Sequence, residues 1–210
     1  MNLTILSVTK NESKQKLENL PVQYDLLPTQ LGTLNVAHNP LGVCHLSFHV
    51  SSDHLLKQLK SEWPKSHIKK NHLASDLKHS ILKTLDHKVI EKQSTISETN
   101  EISIVLKGTT FQIQVWRELT KTPFGAISNY SQIATALNRP KATRAIGNAI
   151  ACNPIAILIP CHRIIRKDGH LGGYRWGKEN KINLLKLEGF FSSNKLNFEP
   201  KPTKDYSPKV

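Results

Sequence analysis

The longest apolar run in the chain is about seven residues, Pro154-Ile155-Ala156-Ile157-Leu158-Ile159-Pro160, and proline closes it at both ends. A membrane-crossing helix needs ~20 apolar residues in succession, so no span is expected. The run is also too short for the core of a buried helix, which leaves a short buried strand as the expected structure. Such a strand ends by delivering Pro160-Cys161-His162-Arg163. A thiol placed directly after a rigid proline at the end of a buried strand is well set to face a pocket.

With 210 residues, 38% hydrophobic and 21% charged, the chain can build one large or two small globular domains, and wholesale disorder is excluded. Met1 to Lys10 lacks the basic start and long apolar stretch of a signal peptide, so a cytoplasmic protein is expected, nucleoid-associated or, in a eukaryote, nuclear. Cys44, Cys152 and Cys161 are too few and too odd in number for a disulfide framework, and reduced thiols are the default. The formal charge of +13 is unevenly spread. Residues 1–106 hold 12 lysines and arginines against 10 acids, residues 107–192 hold 13 against 4, and residues 193–210 hold 4 against 2. The excess sits mostly in one segment, and a polyanion is its natural partner, because each neutralised phosphate releases condensed counterions.

Between Tyr24 and Val50 apolar and polar residues alternate in short runs broken at Leu31-Gly32 and Asn39-Pro40-Leu41-Gly42, the pattern of a β-hairpin or meander. Ser52 or Asp53 is placed to cap a short helix through Leu59 that stops near Pro64. Leu73, Leu77, Ile81, Leu82 and Leu85 share one face of a second helix, His72 to Leu85. Glu91 to Asn100 reads as a linker loop, and Ile102, Ile104 and Leu106 alternate as a strand that completes a small α/β unit. Eight of the ten histidines precede residue 90. Zinc signatures pair Cys and His at fixed close spacing, and only Cys44 is available there, so no metal site is expected.

The character changes after Lys107. Gly108-Thr109-Thr110 caps an amphipathic helix whose apolar face is Phe111, Val115, Trp116 and Leu119, ended by Pro123-Phe124-Gly125. Ser131 to Leu137 and Ala142 to Ala151 make two short helices around the break Asn138-Arg139-Pro140, a helix-turn-helix candidate. The second is small-faced, with Ala142, Ala145, Gly147, Ala149 and Ala151, and carries one long cation, Arg144. Small residues also serve close helix packing. Cys161 needs a base or positive surroundings to act as a nucleophile, since a free thiol is only a few per cent ionised at neutral pH. His162 and Arg163 are candidates for that role, and Glu188 is a candidate to orient the imidazole.

Asn153-Pro154, Pro160-Cys161-His162-Arg163 and Gly172-Gly173-Tyr174 together resemble the active-site segment of the O6-alkylguanine-DNA alkyltransferases, the methylated-DNA–protein-cysteine methyltransferases. The likeness runs from Gly108-Thr109-Thr110-Phe111-Gln112 through Val115-Trp116, Tyr130 and Arg144-Ala145-Ile146-Gly147 to Lys181 and Leu184-Leu185-Lys186-Leu187-Glu188-Gly189, about 80 residues without a gap. Residues 29–50 resemble the family's N-terminal domain more loosely. The resemblance implies an α/β N-terminal domain over 1–106, a small antiparallel sheet with helices that is RNase H-like. It also implies a mostly α domain over 107–192 with a winged-helix-like helix-turn-helix, followed by a disordered tail, 193–210.

By the same resemblance Cys161 is the alkyl acceptor, His162 its base through a bridging water, Glu188 the residue holding the imidazole, and Asn153 the residue fixing the turn. Tyr130 helps turn out the nucleotide and donates to the leaving guanine, Arg144 fills the gap left in the duplex, and Ala142, Ala145 and Gly147 face DNA. Tyr174, the backbone of Arg175, Trp176 and Ile164 line the pocket, with Lys181 in the supporting network. The implied partner is double-stranded DNA containing O6-alkylguanine, and O4-alkylthymine is a further candidate substrate. The protein is expected to be a monomer that needs no cofactor, because DNA itself is the alkyl donor. Asn129 stands where the family commonly has serine, and Trp176 where some members have glycine; the indole is expected to narrow the pocket against benzyl-sized adducts. A lesion binder without transfer, a cysteine hydrolase and a helix-turn-helix regulator are the alternatives, and none of them needs the cysteine motif and the basic helices together. Cys152, without an accompanying base, reads as structural.

Overall fold

A computed structural model of the chain describes residues 2–9, 17, 19–86 and 101–190. The linker expected at Glu91 to Asn100 and the tail from Ser192 to Val210 lie outside them. Eight strands and six α-helices are present among the described residues. In order they are β1 (Asn2–Thr9), β2 (Val22–Thr29), β3 (Gly32–Asn39), β4 (Gly42–Phe48), α1 (Ser52–Glu62), β5 (Ile68–Lys70), α2 (Ser75–Lys83) and β6 (Glu101–Gly108). The second half adds α3 (Thr110–Leu119), β7 (Ser128–Asn129), α4 (Tyr130–Ala136), α5 (Thr143–Ala151), β8 (Ile164–Ile165) and α6 (Lys178–Leu187). No helix among the described residues is long and apolar enough to cross a membrane.

The expected meander is β2-β3-β4, joined by tight turns and paired antiparallel. The sheet as a whole is mixed, however, with the order β1-β6-β4-β3-β2-β5. β1 and β4 run parallel to β6, and β5 parallel to β2. This corrects the antiparallel expectation, and the cause is the helices: parallel neighbours need a long crossover, and α1, β5 and α2 carry the chain from β4 to its parallel neighbour β6. The sheet is covered on both faces. Leu55, Leu59 and Trp63 of the α1 region pack with Val22, Ala37, Cys44 and Val105 on one side. Ile102, Ile104, Leu106, Val36 and Leu46 pack with Ile81, Val115, Trp116 and Leu119 on the other. A continuous apolar core therefore joins the sheet to the helices that follow it.

Helix boundaries shift by a few residues from their sequence positions. Ser51, one residue earlier than expected, caps α1 by accepting from the His54 amide, and the helix continues to Glu62. α2 is shorter than the His72 to Leu85 pattern, because Ala74 supplies no side-chain cap. α3 starts on a full capping box, Thr109 with Gln112. α4 begins at Tyr130 itself, since Asn129 accepts from the Gln132 amide at 3.0 Å and Gln132 Oε1 accepts from the Asn129 amide at 3.0 Å. Ala142 is the residue before α5 rather than its first turn.

The largest departure is at residues 155–159. They are buried as expected, at 0 to 6% exposure, but they do not form a strand. Only Ile155 bridges to the sheet, beside Leu46 of β4, with Leu46 N–H donating to Pro154 O at 3.1 Å and Ala156 N–H to Leu46 O at 2.7 Å. Beyond it the chain coils in tight turns, and Ile157 has φ +67°. Asn153 competes successfully for the backbone that a strand would have used: its Oδ1 accepts from Ile155 N–H, and its Nδ2 donates to the carbonyls of Ile155 and Ile159. The N-terminal sheet thus anchors the start of the segment that carries Cys161.

Candidate active site

Cys161, His162 and Arg163 form a single turn of 3-10 helix directly after Pro160. Cys161 is 3% exposed and His162 is fully buried. Burial pushes the Cys161 thiol up to about 11, although Asn153 and the positive charges of Lys181 and Arg175 work in the opposite direction. The sulfur is therefore protonated at rest near neutrality, and it needs a base at the moment of reaction. Asn153 Nδ2 lies 3.2 Å from Sγ, so the same side chain that shapes the turn donates to the Cys161 sulfur.

His162 Nε2 and Glu188 Oε1 are 2.7 Å apart. Burial lowers the imidazole pKa, and the Glu188 hydrogen bond only partly offsets this. The ring is thus neutral near pH 7, its Nε2–H donating to the carboxylate. Its Nδ1 is buried and bonds to no protein atom, which leaves one basic lone pair open. Burial alone would push the Glu188 carboxyl up, but the hydrogen bond from His162 and the Arg163 guanidinium outweigh it and hold it below the ordinary carboxyl value. Arg163 sends Nε to both Glu188 oxygens and Nη2 to Oε1, at 2.9 to 3.1 Å, and Nη1 to Thr122 O at 2.6 Å. The structure therefore assigns Arg163 to the carboxylate and not to the thiol. A cleft of about 410 Å³ lies behind this carboxylate, between Leu3 and Ile5 of β1 and Leu184 and Leu187 of α6.

Lys181 is fully buried and donates to the carbonyls of Ile164 and Leu171, both at 2.5 Å. Burial pulls its pKa down to about 8, and the Cys161 charge opposes that. The bonds tie α6 to β8 and to the segment leading into Gly172. Gly172 has φ +68°, and a Cβ there would lie 3.1 Å from the Tyr130 hydroxyl, so this close approach requires glycine. On its other side the Tyr130 ring faces Gly147 on α5, where an added Cβ would lie 3.8 Å from it. Burial raises the Tyr130 pKa, so the phenol remains a donor.

Tyr174 stands edge-on to His162, with ring centroids 6.5 Å apart, and edge-on to Trp176 at 5.2 Å. Its hydroxyl is buried without a protein partner. Ile164 is buried beneath them. On α5 the buried face is Ile146, Ala149 and Ile150, pinned by Trp116 Nε1–H donating to Ala149 O at 2.8 Å. Arg144, Ala145 and Cys152 are exposed and Gly147 and Ala142 partly so, which leaves a small-residue surface with one free-standing cation. The fold thus brings Asn153, Cys161, His162, Glu188, Tyr174, Lys181 and Tyr130 into one neighbourhood and puts Arg144 on an adjoining surface. Sequence reasoning missed the Arg163 clamp on Glu188 and the side chain of Arg175, whose Nη1 donates to Asn153 O at 2.9 Å. For Arg163 its place next to the Cys-His pair was a signal; for Arg175 there was none. Among the described residues no group of three or more His, Cys, Asp or Glu stands close enough to hold a metal ion.

Residues 110–190 match the family model described as 6-O-methylguanine DNA methyltransferase, DNA binding domain. The methylated-DNA–protein-cysteine methyltransferase of Methanosarcina barkeri is 34% identical over 79% of this chain, and the match covers 96% of that protein. The chain belongs to the methylated-DNA–protein-cysteine methyltransferase family. It is also similar to the bifunctional transcriptional activator/DNA repair enzyme Ada of Escherichia coli, 35% identical over 87% of this chain but only 50% of that protein. The chain therefore spans about half the length of that Escherichia coli relative. Among solved structures it resembles Mycobacterium tuberculosis OGT in complex with DNA, with a TM-score of 0.63 and 29% identity over 79% of this chain and 92% of the other.

Proposed function

We propose that the protein repairs DNA by direct reversal, turning O6-alkylguanine out of double-stranded DNA and transferring the alkyl group irreversibly to Cys161. The observation that carries this reading is a buried, un-ionised thiol that accepts from Asn153 and directly precedes His162, whose imidazole is bonded to Glu188 and keeps one nitrogen open. The alkyl group lies within the base stack, so the thiol reaches it only after the nucleotide is flipped, at a cost of a few kcal/mol. The exposed small-residue face of α5 suits the minor groove as the second helix of a helix-turn-helix, and Arg144 fills the vacated stack.

In the transfer the Cys161 proton passes to His162 Nδ1 by way of a bridging water, the S–C bond forms as the O6–C bond breaks, and the electron pair leaves with guanine. General-base assistance of this kind is worth ~10²–10⁴-fold. Tyr130 donates to the developing guanine anion, and Lys181 and Arg175 favour the sulfur anion. The thioether product has no route back to a thiol within the chain, so each molecule acts once. Within this reading residues 107–192 form the DNA-binding alkyltransferase domain with a winged-helix-like motif, residues 1–106 an RNase H-like support, the protein acts as a monomer, and O4-alkylthymine is a secondary substrate.

Titrating the protein with methyl-labelled O6-methylguanine DNA tests this. Label incorporation is expected to plateau at one methyl per chain. Retention of DNA without label in the protein would make it a lesion binder, and continued turnover would make it a hydrolase or a true catalyst.

A further inference from the structure

Arg175 enters the proposed function through its backbone and its charge, but its side chain also makes a specific contact. Its Nη1 donates to the carbonyl oxygen of Asn153, the residue whose Nδ2 donates to the Cys161 sulfur. One asparagine thus joins the guanidinium on one side to the nucleophile on the other. The neighbouring Trp176 ring lies 5.9 Å from the Arg175 guanidinium carbon, and the edge-on series Trp176, Tyr174, His162 leads back to the imidazole. The segment 172–177 is therefore fastened to the cysteine turn at two places, by a charged hydrogen bond and by the edge-on contact of Tyr174 with His162.

The charged and titratable groups around the sulfur other than Arg175 divide into three kinds. Tyr130 from α4 and Tyr174 from the segment 172–177 both have raised pKa values and stay neutral. His162, Glu188 and Arg163 form a closed set in which the arginine is neutralised by the carboxylate. Lys181 from α6 has a pKa of about 8, so its charge fades as pH rises through the range where a thiol ionises. Arg175 differs from all of these. A guanidinium stays charged throughout, and its contact on Asn153 is with a neutral carbonyl, which leaves the charge uncancelled.

We propose that Arg175 is a positioning residue for the transfer: docked on the Asn153 carbonyl, it ties the segment 172–177 to the turn that holds Cys161 and sets a permanent positive charge within electrostatic reach of the sulfur. This rests on the alkyl-transfer reading for its purpose, but not for its test. Cys161 is alkylated with iodoacetamide across pH in wild type, Arg175→Gln, Arg175→Met and Arg175→Lys, with the modified residue located by peptide mass. Each protein is also given O6-methylguanine DNA. Both uncharged variants are expected to move the reaction midpoint up by about half a pH unit, which makes Cys161 about threefold slower near neutrality. Methyl transfer is expected to slow similarly at unchanged DNA affinity, and Arg175→Lys to restore the wild-type midpoint. Arg175 is exposed as a residue, so these variants are expected to fold. An unmoved midpoint in Arg175→Gln and Arg175→Met overturns the proposal whatever the transfer rate. Wild-type protein that takes no methyl from DNA defeats the alkyl-transfer reading instead, and the iodoacetamide comparison still decides the role of Arg175.

Discussion

The molecule contains the same local pattern twice. Cys44 precedes His45, whose Nδ1 lies 3.0 Å from Glu62 Oε2, and Cys161 precedes His162, whose Nε2 lies 2.7 Å from Glu188 Oε1. Both cysteines are buried and both histidines fully so. What differs is the surroundings of the sulfur. Cys44 donates to the Ala37 carbonyl at 3.5 Å, and burial together with the Glu62 charge pushes its thiol far above the ordinary value. Cys161 instead accepts from Asn153 and feels Lys181 and Arg175. The imidazoles differ as well. His45 spends its second nitrogen on Ser47 Oγ at 2.9 Å, within a chain that continues to Asn35, whereas His162 Nδ1 stays open. On the proposed function, the Cys-His-Glu set in the sheet is inert and the one in the second half carries the chemistry, and the sign of the neighbouring charges and one uncommitted lone pair set them apart.

Four changes would break or sharpen that contrast. Cys161→Ala is expected to abolish methyl transfer from O6-methylguanine DNA, whereas Cys44→Ala keeps it within about twofold, since a buried thiol behaves as a small hydrophobe; a labelled-transfer assay reads both. Glu188→Gln should slow transfer by ~10²-fold or more by loosening the imidazole. It should also cost about 3 kcal/mol by leaving Arg163 without its charge partner. Glu62→Gln, a quarter exposed, should cost less than about 1 kcal/mol. Denaturant melts across pH add the sign. The lowered Glu188 pKa contributes stability that is present above the ordinary carboxyl value and lost as pH falls through the lower folded one. Glu188→Gln should lack that acid-side loss.

Asn153→Ala makes the setting of Cys161 more like that of Cys44 by removing its donor. It also leaves the Ile155 amide unpaired, so about 2–3 kcal/mol of stability should be lost in a denaturant melt. Smallest is the effect at the lip. Trp176→Gly should speed inactivation by O6-benzylguanine relative to O6-methylguanine by several-fold, since a hydrophobic pocket discriminates a bulky group by ~1–3 kcal/mol; equal ratios in the two proteins would show that the indole does not limit the size of the alkyl group.

The two sets were not equally legible in the sequence. Pro160-Cys161-His162-Arg163 and Glu188 stood out because motif, basic charge and helices converged on them, and the β2-β3-β4 meander followed from turn residues and alternation. The twin at Cys44-His45 carried no such context, and its Glu62 partner lies on a helix whose end was placed three residues too early. The strand expected at residues 155–159 failed for a physical reason: hydrophobic content shows that a segment is buried, not which hydrogen bonds it makes, and Asn153 took those bonds. Parallel pairing of β1 with β6 and of β5 with β2 depends on crossovers that periodicity does not encode. The Arg175 contact joins residues 22 positions apart through a main-chain carbonyl, which leaves no trace in composition or spacing.

The contrast comes down to which sulfur takes the alkyl group. Wild-type protein reacted to completion with O6-methylguanine DNA and digested for peptide mass analysis is expected to carry one methyl, on Cys161, with Cys44 and Cys152 unmodified. A methyl on Cys44 or Cys152, or damaged DNA restored with no methyl on any cysteine, would contradict the account.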